Sequence, residues 1–285
     1  MNGVARRVLG ACAWLAMAVP VLVHIGLAVL AVREFVALGW LTRTWFEMAA
    51  VSVVFVTAAA GLAGTAIVLV RAVRGARGVR GLARSAQEPC PALIEAAADD
   101  LRLGGEVDVV RGSEPFAVTY GLVRPRILVS TGLAAALTAE GIAAVLAHER
   151  HHVRYRDPLR LLAVRVAAGY WCWVPAAGWL ARRLAVRREL AADRAAVGWT
   201  SRADLASALL KLASLPASPA LAAARPPGDE PGSLEARVDQ LEGTRPQRPR
   251  RALGRLLGSG GVLTVVMAAS VCCAGLAQAL PGGLL

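Results

Sequence analysis

The chain has 285 residues, 56% of them hydrophobic and 18% charged, with a formal net charge of +12. Its mean hydropathy is +0.52. So apolar a chain is not disordered, and five cysteines without a C-x-x-C pair do not form a disulfide scaffold. The positive charge is almost all arginine, since Lys211 is the only lysine. Histidine is scarce, and three of the four, His148, His151 and His152, fall within five residues.

Crossing a bilayer takes roughly 20 apolar residues in a helix. Three runs meet that length: Val8–Val32, Met48–Val70 and about Gly260–Leu280. The first is too long for a signal-peptide core and no A-x-A site follows it, so it reads as a retained helix. Arg6 and Arg7 precede it, the next loop is neutral, and Arg71, Arg74, Arg77, Arg80 and Arg84 follow the second run. The positive-inside bias therefore places the N-terminus and the region after Val70 in the cytoplasm of a multi-pass cell-membrane protein. Arg245, Arg248, Arg250, Arg251 and Arg255 precede the third run and hold that end inside too. Arginines that flank spans read as anchors on anionic lipid. Without an aromatic-interleaved motif, nucleic acid is not an expected partner.

Three regions follow: residues 1–84 with two spans and a basic juxtamembrane segment, 85–250 as a cytoplasmic domain, and 251–285 with the last span and a short tail. Within the middle region Pro91–Leu103 reads as a helix, and Val107–Arg111, Phe116–Tyr120 and Arg126–Ser130 as short strands. Helices are expected at Ala139–Tyr155 with Thr138 as N-cap, at Gly178–Val197 and at Ala203–Ser214. Leu215–Gly232 reads as a loop, and Ser233 as the cap of a short helix through Leu241. Within the membrane-associated segment 159–181, Val166–Ala181 is uncharged but only 16 residues long, with Arg160 and Arg165 before it and Arg182 and Arg183 after it, which suits a re-entrant hairpin or an interfacial helix. The fold class is mainly α with a small β-sheet, α+β.

His148, Glu149 and His152 form H-E-x-x-H. On a helix, positions four apart share a face, so both imidazoles can reach one zinc ion while Glu149 reaches a water beside it. With so few histidines, chance produces the pattern on the order of 0.002 times in a chain of this length. The bland alternative is a solvated polar helix face, and the apolar Ile142, Ala143, Val145, Leu146 and Ala147 before it argue for a buried helix instead. His151 reads as a partly exposed neighbour, and His24 as a polar group tolerated within the first span.

Two histidines leave a third protein ligand to find. Asp157, Glu189, Asp193 and Asp204 lie downstream. Glu189 is the expected ligand, with Asp193 one turn on accepting a hydrogen bond from a ligating histidine. The plainer alternative for Glu189 is an ion pair with Arg187 or Arg188. Asp157 reads as a cap or a structural ion pair. Because His152 and Glu189 must meet, residues 159–181 cannot make a simple single crossing.

The chain resembles the membrane-embedded gluzincin metallopeptidases of the antirepressor type, which include the beta-lactam sensors BlaR and MecR. The HtpX heat-shock protease and the CAAX prenyl endopeptidase are more distant. The resemblance rests on H-E-R-H-H-V-R-Y-R-D (148–157), E-L-A-A-D (189–193), A-V-T-Y-G-L-V-R-P-R-I-L-V-S (117–130) and L-E-A-R-V-D-Q-L (234–241). It implies a zincin-like catalytic domain at 85–250, one zinc ion per chain, a protein or peptide substrate, and a strand, Val118, Thr119 and Tyr120, that pairs with the substrate backbone. Tyr155, Arg187 and Arg194 remain unranked candidates to stabilise the oxyanion. The beta-lactam sensors carry a penicillin-binding domain after the last span, where only Gln278–Leu285 stands here, so a built-in antibiotic sensor is not expected. The leading reading is a zinc endopeptidase acting on a cytoplasmic or membrane-proximal protein, with a transcriptional repressor among the candidate substrates. A membrane-protein quality-control protease and a non-catalytic zinc-binding scaffold are the alternatives. The bilayer is an expected partner, and a homodimer is allowed.

Overall fold

The apolar run that begins at Met48 lies in a 41-residue helix, α1 (Trp45–Ser85). The structure is a computed structural model that describes residues 21–22, 24–26, 29, 33, 45–85, 88–214, 231–243 and 252–278. Among these, Met48–Arg84 is the helix long and apolar enough to cross a membrane. At 1.5 Å per residue it extends about 55 Å, well beyond a hydrocarbon core of roughly 30 Å, so its arginine-rich end has length to emerge. The expected first span, Val8–Val32, lies largely outside the described residues. The expected third span lies in the C-terminal helix Ala252–Gln278, whose apolar stretch among the described residues is Leu257–Val271. Among the described residues one helix is thus a candidate crossing, and the multi-pass arrangement stays an expectation.

The remaining elements follow in chain order: α2 (Ala92–Asp100), β1 (Val107–Val110), β2 (Ala117–Tyr120), β3 (Arg126–Ser130), α3 (Thr131–Ala136), α4 (Ala139–Tyr155), α5 (Asp157–Tyr170), α6 (Pro175–Val197), α7 (Arg202–Ala213), α8 (Pro231–Glu242) and α9 (Ala252–Gln278). The fold is mostly helical with one small sheet, as the sequence implies. Thr138 caps α4 as expected, its side chain accepting from the Gly141 N–H at 3.2 Å. Ser233 is not a cap, because α8 begins two residues earlier at Pro231. A proline serves there because the first helical N–H needs no partner.

The chain divides into two compact units, residues 1–68 with 165–179 and 249–285, and residues 69–164 with 180–248. In the first unit the chain turns at residues 171–174, between α5 and α6. The tip of this hairpin lies on α1, where a Cβ at Gly64 would collide with the Gly169 carbonyl. Small residues allow such close backbone approach between apolar helices. His24, buried here, is satisfied on both nitrogens, Nε2 3.0 Å from Thr57 Oγ1 and Nδ1 3.0 Å from the Tyr170 hydroxyl. Thr57 already donates to the Val53 carbonyl at 2.7 Å, so the imidazole N–H donates to Thr57 and Nδ1 accepts from Tyr170.

In the second unit the sheet has the order β1-β3-β2, parallel between β1 and β3 and antiparallel between β2 and β3. Side chains alternate across its faces. Val109, Ile127 and Val129 join Ile94, Ile142, Leu146 and Leu205 in the main core. Val110 and Leu128 pack on the other face with Val79 of α1, together with Val118 and Tyr120. Tyr120 donates from its hydroxyl to Asp108, which Arg126 also holds through two nitrogens at 2.6 and 2.7 Å.

Candidate metal centre

Helix α4 carries His148 and His152 one turn apart, both buried, with their Nε2 atoms 3.1 Å from each other. Glu189 reaches the same point from α6. Its carboxylate oxygens lie 3.4 Å from His148 Nε2 and 3.7 Å from His152 Nε2. One ligand atom from each of the three residues falls within 4.8 Å of the other two. The two imidazoles turn their other nitrogens outward onto carboxylates. His148 Nδ1 lies 2.8 Å from Asp193 Oδ1, and His152 Nδ1 3.0 Å from Asp157 Oδ2. Such partners fix the tautomer that presents Nε2 to a metal. The donor set of two imidazoles and a carboxylate, with hydrogen-bonded outer partners, fits a metal ion.

Glu189 and Asp193 divide the work by their spacing. One turn apart on the same face of α6, they reach the two ends of the His148 ring. Asp157 arrives differently. Helix α4 ends at Arg156, whose backbone is left-handed with φ 51°, and α5 starts at once. That conformation costs a non-glycine residue about 1–2 kcal/mol. It turns the chain so that Asp157, 1% exposed, points back at His152. Arg188 pairs with the other oxygen of Asp157. The aspartate read from sequence as a cap or ion pair thus makes an ion pair and also orients a histidine.

Glu149, next to His148, has its carboxylate Oε2 2.6 Å from the Thr119 hydroxyl of β2. In the β2–β3 ladder, Ser130 N–H donates to the Phe116 carbonyl at 3.1 Å. Hydrogen-bonded pairs recur at every second residue of an antiparallel ladder, so Val118 and Tyr120 turn their backbone groups toward β3. Ala117 and Thr119 turn theirs to the outer edge. Of the expected substrate strand, Thr119 therefore turns its backbone groups to the outer edge, where they have no backbone partner among the described residues, whereas Val118 and Tyr120 spend theirs on the sheet.

A profile of the BlaR1 peptidase M56 family matches residues 16–241, about four-fifths of the chain. The chain belongs to the BlaR1 peptidase M56 family. No curated protein matches it significantly. Family membership makes the chain a metallopeptidase, a hydrolase of peptide bonds. That family and the membrane-capable helix α1 fit a membrane protein.

The candidate site also contains a cation that the sequence did not single out. Arg237 of α8 grips Asp193 through Nε at 2.8 Å and Nη2 at 2.7 Å, and its Nη1 lies 3.6 Å from Glu189. Planar guanidinium suits this two-point grip. Arg237 stands in L-E-A-R-V-D-Q-L, and the single arginine of that otherwise acidic and apolar stretch is the signal that could have marked it. By contrast Arg187 and Arg194 are exposed, on other faces of α6 than Glu189. Tyr155 packs against His151, ring centroids 4.5 Å apart, and His151 stays out of the ligand group.

Charge balance in the buried site is tight. Burial opposes a charge on His148, yet hydrogen bonds with Asp193 and Glu189 prevail and lift its pKa to about 9. Burial also works against the charge of Glu189, but His148, His152 and Arg237 hold its carboxyl far below the usual range. The same balance, with His148 and Arg237 outweighing burial, lowers the pKa of Asp193. A proton thus occupies His148 when no metal does.

Proposed function

We propose that this metallopeptidase is a zinc endopeptidase of the membrane that hydrolyses peptide bonds in a cytoplasmic or membrane-proximal protein. The reading rests on one observation: the Nε2 atoms of His148 and His152 and the carboxylate of Glu189 converge at one point, with both outer nitrogens held by aspartates. Two histidines and a carboxylate with a fourth position open are what a catalytic zinc site needs. Zinc held there would lower the pKa of a water and polarise the scissile carbonyl. Glu149 takes the proton of the attacking water on its carboxylate and returns it to the leaving amine nitrogen. Arg237 keeps Asp193 ionised, and Asp193 keeps the His148 Nδ1 proton in place. The edge strand β2 takes the substrate as an added strand.

Arginine placement supports a cytoplasmic N-terminus and a cytoplasmic catalytic region, 85–250. Within it, the turn at 171–174 supports a re-entrant hairpin for residues 159–181. A transcriptional repressor is the substrate class that the antirepressor resemblance implies. Glu149→Gln tests the chemistry. The variant retains one zinc ion per chain and loses cleavage by about 100-fold or more, as expected when a general base is removed. Cleavage at the wild-type rate would overturn the mechanism.

A further inference from the structure

Glu149 is the one member of the H-E-x-x-H group whose side chain is oriented from the sheet. Thr119 alternates with Val118 and Tyr120, so its side chain stands on the α4 face of β2 while theirs pack against Val79, Val110 and Leu128. Its hydroxyl has two acceptors within reach, Glu149 Oε2 at 2.6 Å and the Glu149 carbonyl at 3.2 Å. The carboxylate is nearer and charged, so it takes the proton. That bond engages Oε2 and so fixes one oxygen of the carboxylate. The backbone of the same residue points to the outer edge of the sheet, where no further strand pairs among the described residues, at right angles to its side chain.

We propose that Thr119 is a positioning residue for Glu149: its hydroxyl aims the carboxylate while its backbone receives the substrate strand. The proposal rests on the reading of Glu149 as general base. It joins recognition to chemistry within one residue, because a peptide paired with the Thr119 backbone is in register with the carboxylate that the Thr119 hydroxyl holds. The plainer alternative is a hydroxyl that only satisfies its own hydrogen bond at the strand–helix contact. The two differ in what the bond does to turnover. A base displaced by about 1 Å loses rate on the order of 100-fold without losing substrate binding.

The test uses the full chain, zinc-loaded in phospholipid nanodiscs, with fluorescein-labelled casein as the probe substrate. Thr119→Val keeps the shape and removes the hydroxyl. It is expected to lower kcat about 10- to 100-fold, with KM close to wild type and zinc content unchanged. Thr119→Ser restores most of the rate. Infrared difference spectra give a reading that needs no turnover. The carboxylate band missing from Glu149→Gln shifts in Thr119→Val and returns in Thr119→Ser. An unmoved band, a wild-type kcat in Thr119→Val, a loss confined to KM, or a serine variant as slow as the valine variant each overturns the proposal. Wild-type cleavage by Glu149→Gln would instead overturn the general-base reading itself, whatever Thr119 does. Should Thr119→Val fail to fold, Thr119→Ala with the same infrared band decides.

Discussion

Glu189 and Asp157 both border the histidine pair, but only Glu189 aims a carboxylate between the two Nε2 atoms. Glu189→Ala therefore removes a ligand, and the expected result is loss of bound zinc after dialysis. Asp157→Ala leaves the ligand atoms present but frees the His152 ring, and zinc affinity falls about 10- to 100-fold, as for other outer partners of metal-bound histidines. Chelator competition separates the two, and equal zinc content in Glu189→Ala and wild type would overturn the ligand assignment. A pH dependence follows from His148. Its raised pKa, about 9 in the metal-free protein, means that a proton competes with the metal at neutral pH. Zinc binding therefore releases protons and weakens as pH falls from about 9 towards 6. In the metal-free protein the sign is opposite: the protonated ring adds stability fully present below the unfolded value of 6.5 and lost as pH rises through about 9. A zinc affinity flat across that range would contradict the buried His148–Asp193 pair as its cause.

At the scale of elements, the site depends on where helices stop and how closely they approach. The left-handed Arg156 ends α4 one turn after His152, and without that stop Asp157 would point away from the imidazole. In the first unit, the meeting of Gly64 with Gly169 leaves no room for a side chain. Gly64→Val is expected to destabilise the folded protein by about 1–3 kcal/mol, the usual cost of overpacking. Thermal unfolding in detergent measures it. Gly78→Ala on the same helix serves as the control, because nothing lies within 4 Å of a Cβ there. It should be neutral or slightly stabilising, since alanine is the better helix former. Equal melting of both variants would mean that the hairpin does not rest on this contact.

On the scale of the whole molecule, topology is the property most open to test. A reporter fused near Trp40, between the first two expected spans, should lie outside the cytoplasm, and a cytoplasmic signal there would overturn the orientation. Patterns local in sequence were legible in advance. Apolar length marked α1, four-residue spacing marked His148 with His152 and Glu189 with Asp193, and a cap marked the start of α4 at Thr138. Helix boundaries that depend on packing were less so, as the start of α8 at Pro231 shows. The sequence by itself determined which residue types could hold a metal and on which helix faces they stand, because periodicity is a property of each helix alone. Only the tertiary structure decided which partner each of them meets. Asp157 turned to His152, Arg237 closed on Asp193 from 44 residues away, and Thr119 reached Glu149 across 30 residues of chain. Those pairings depend on how separate elements pack, and no local spacing encodes that.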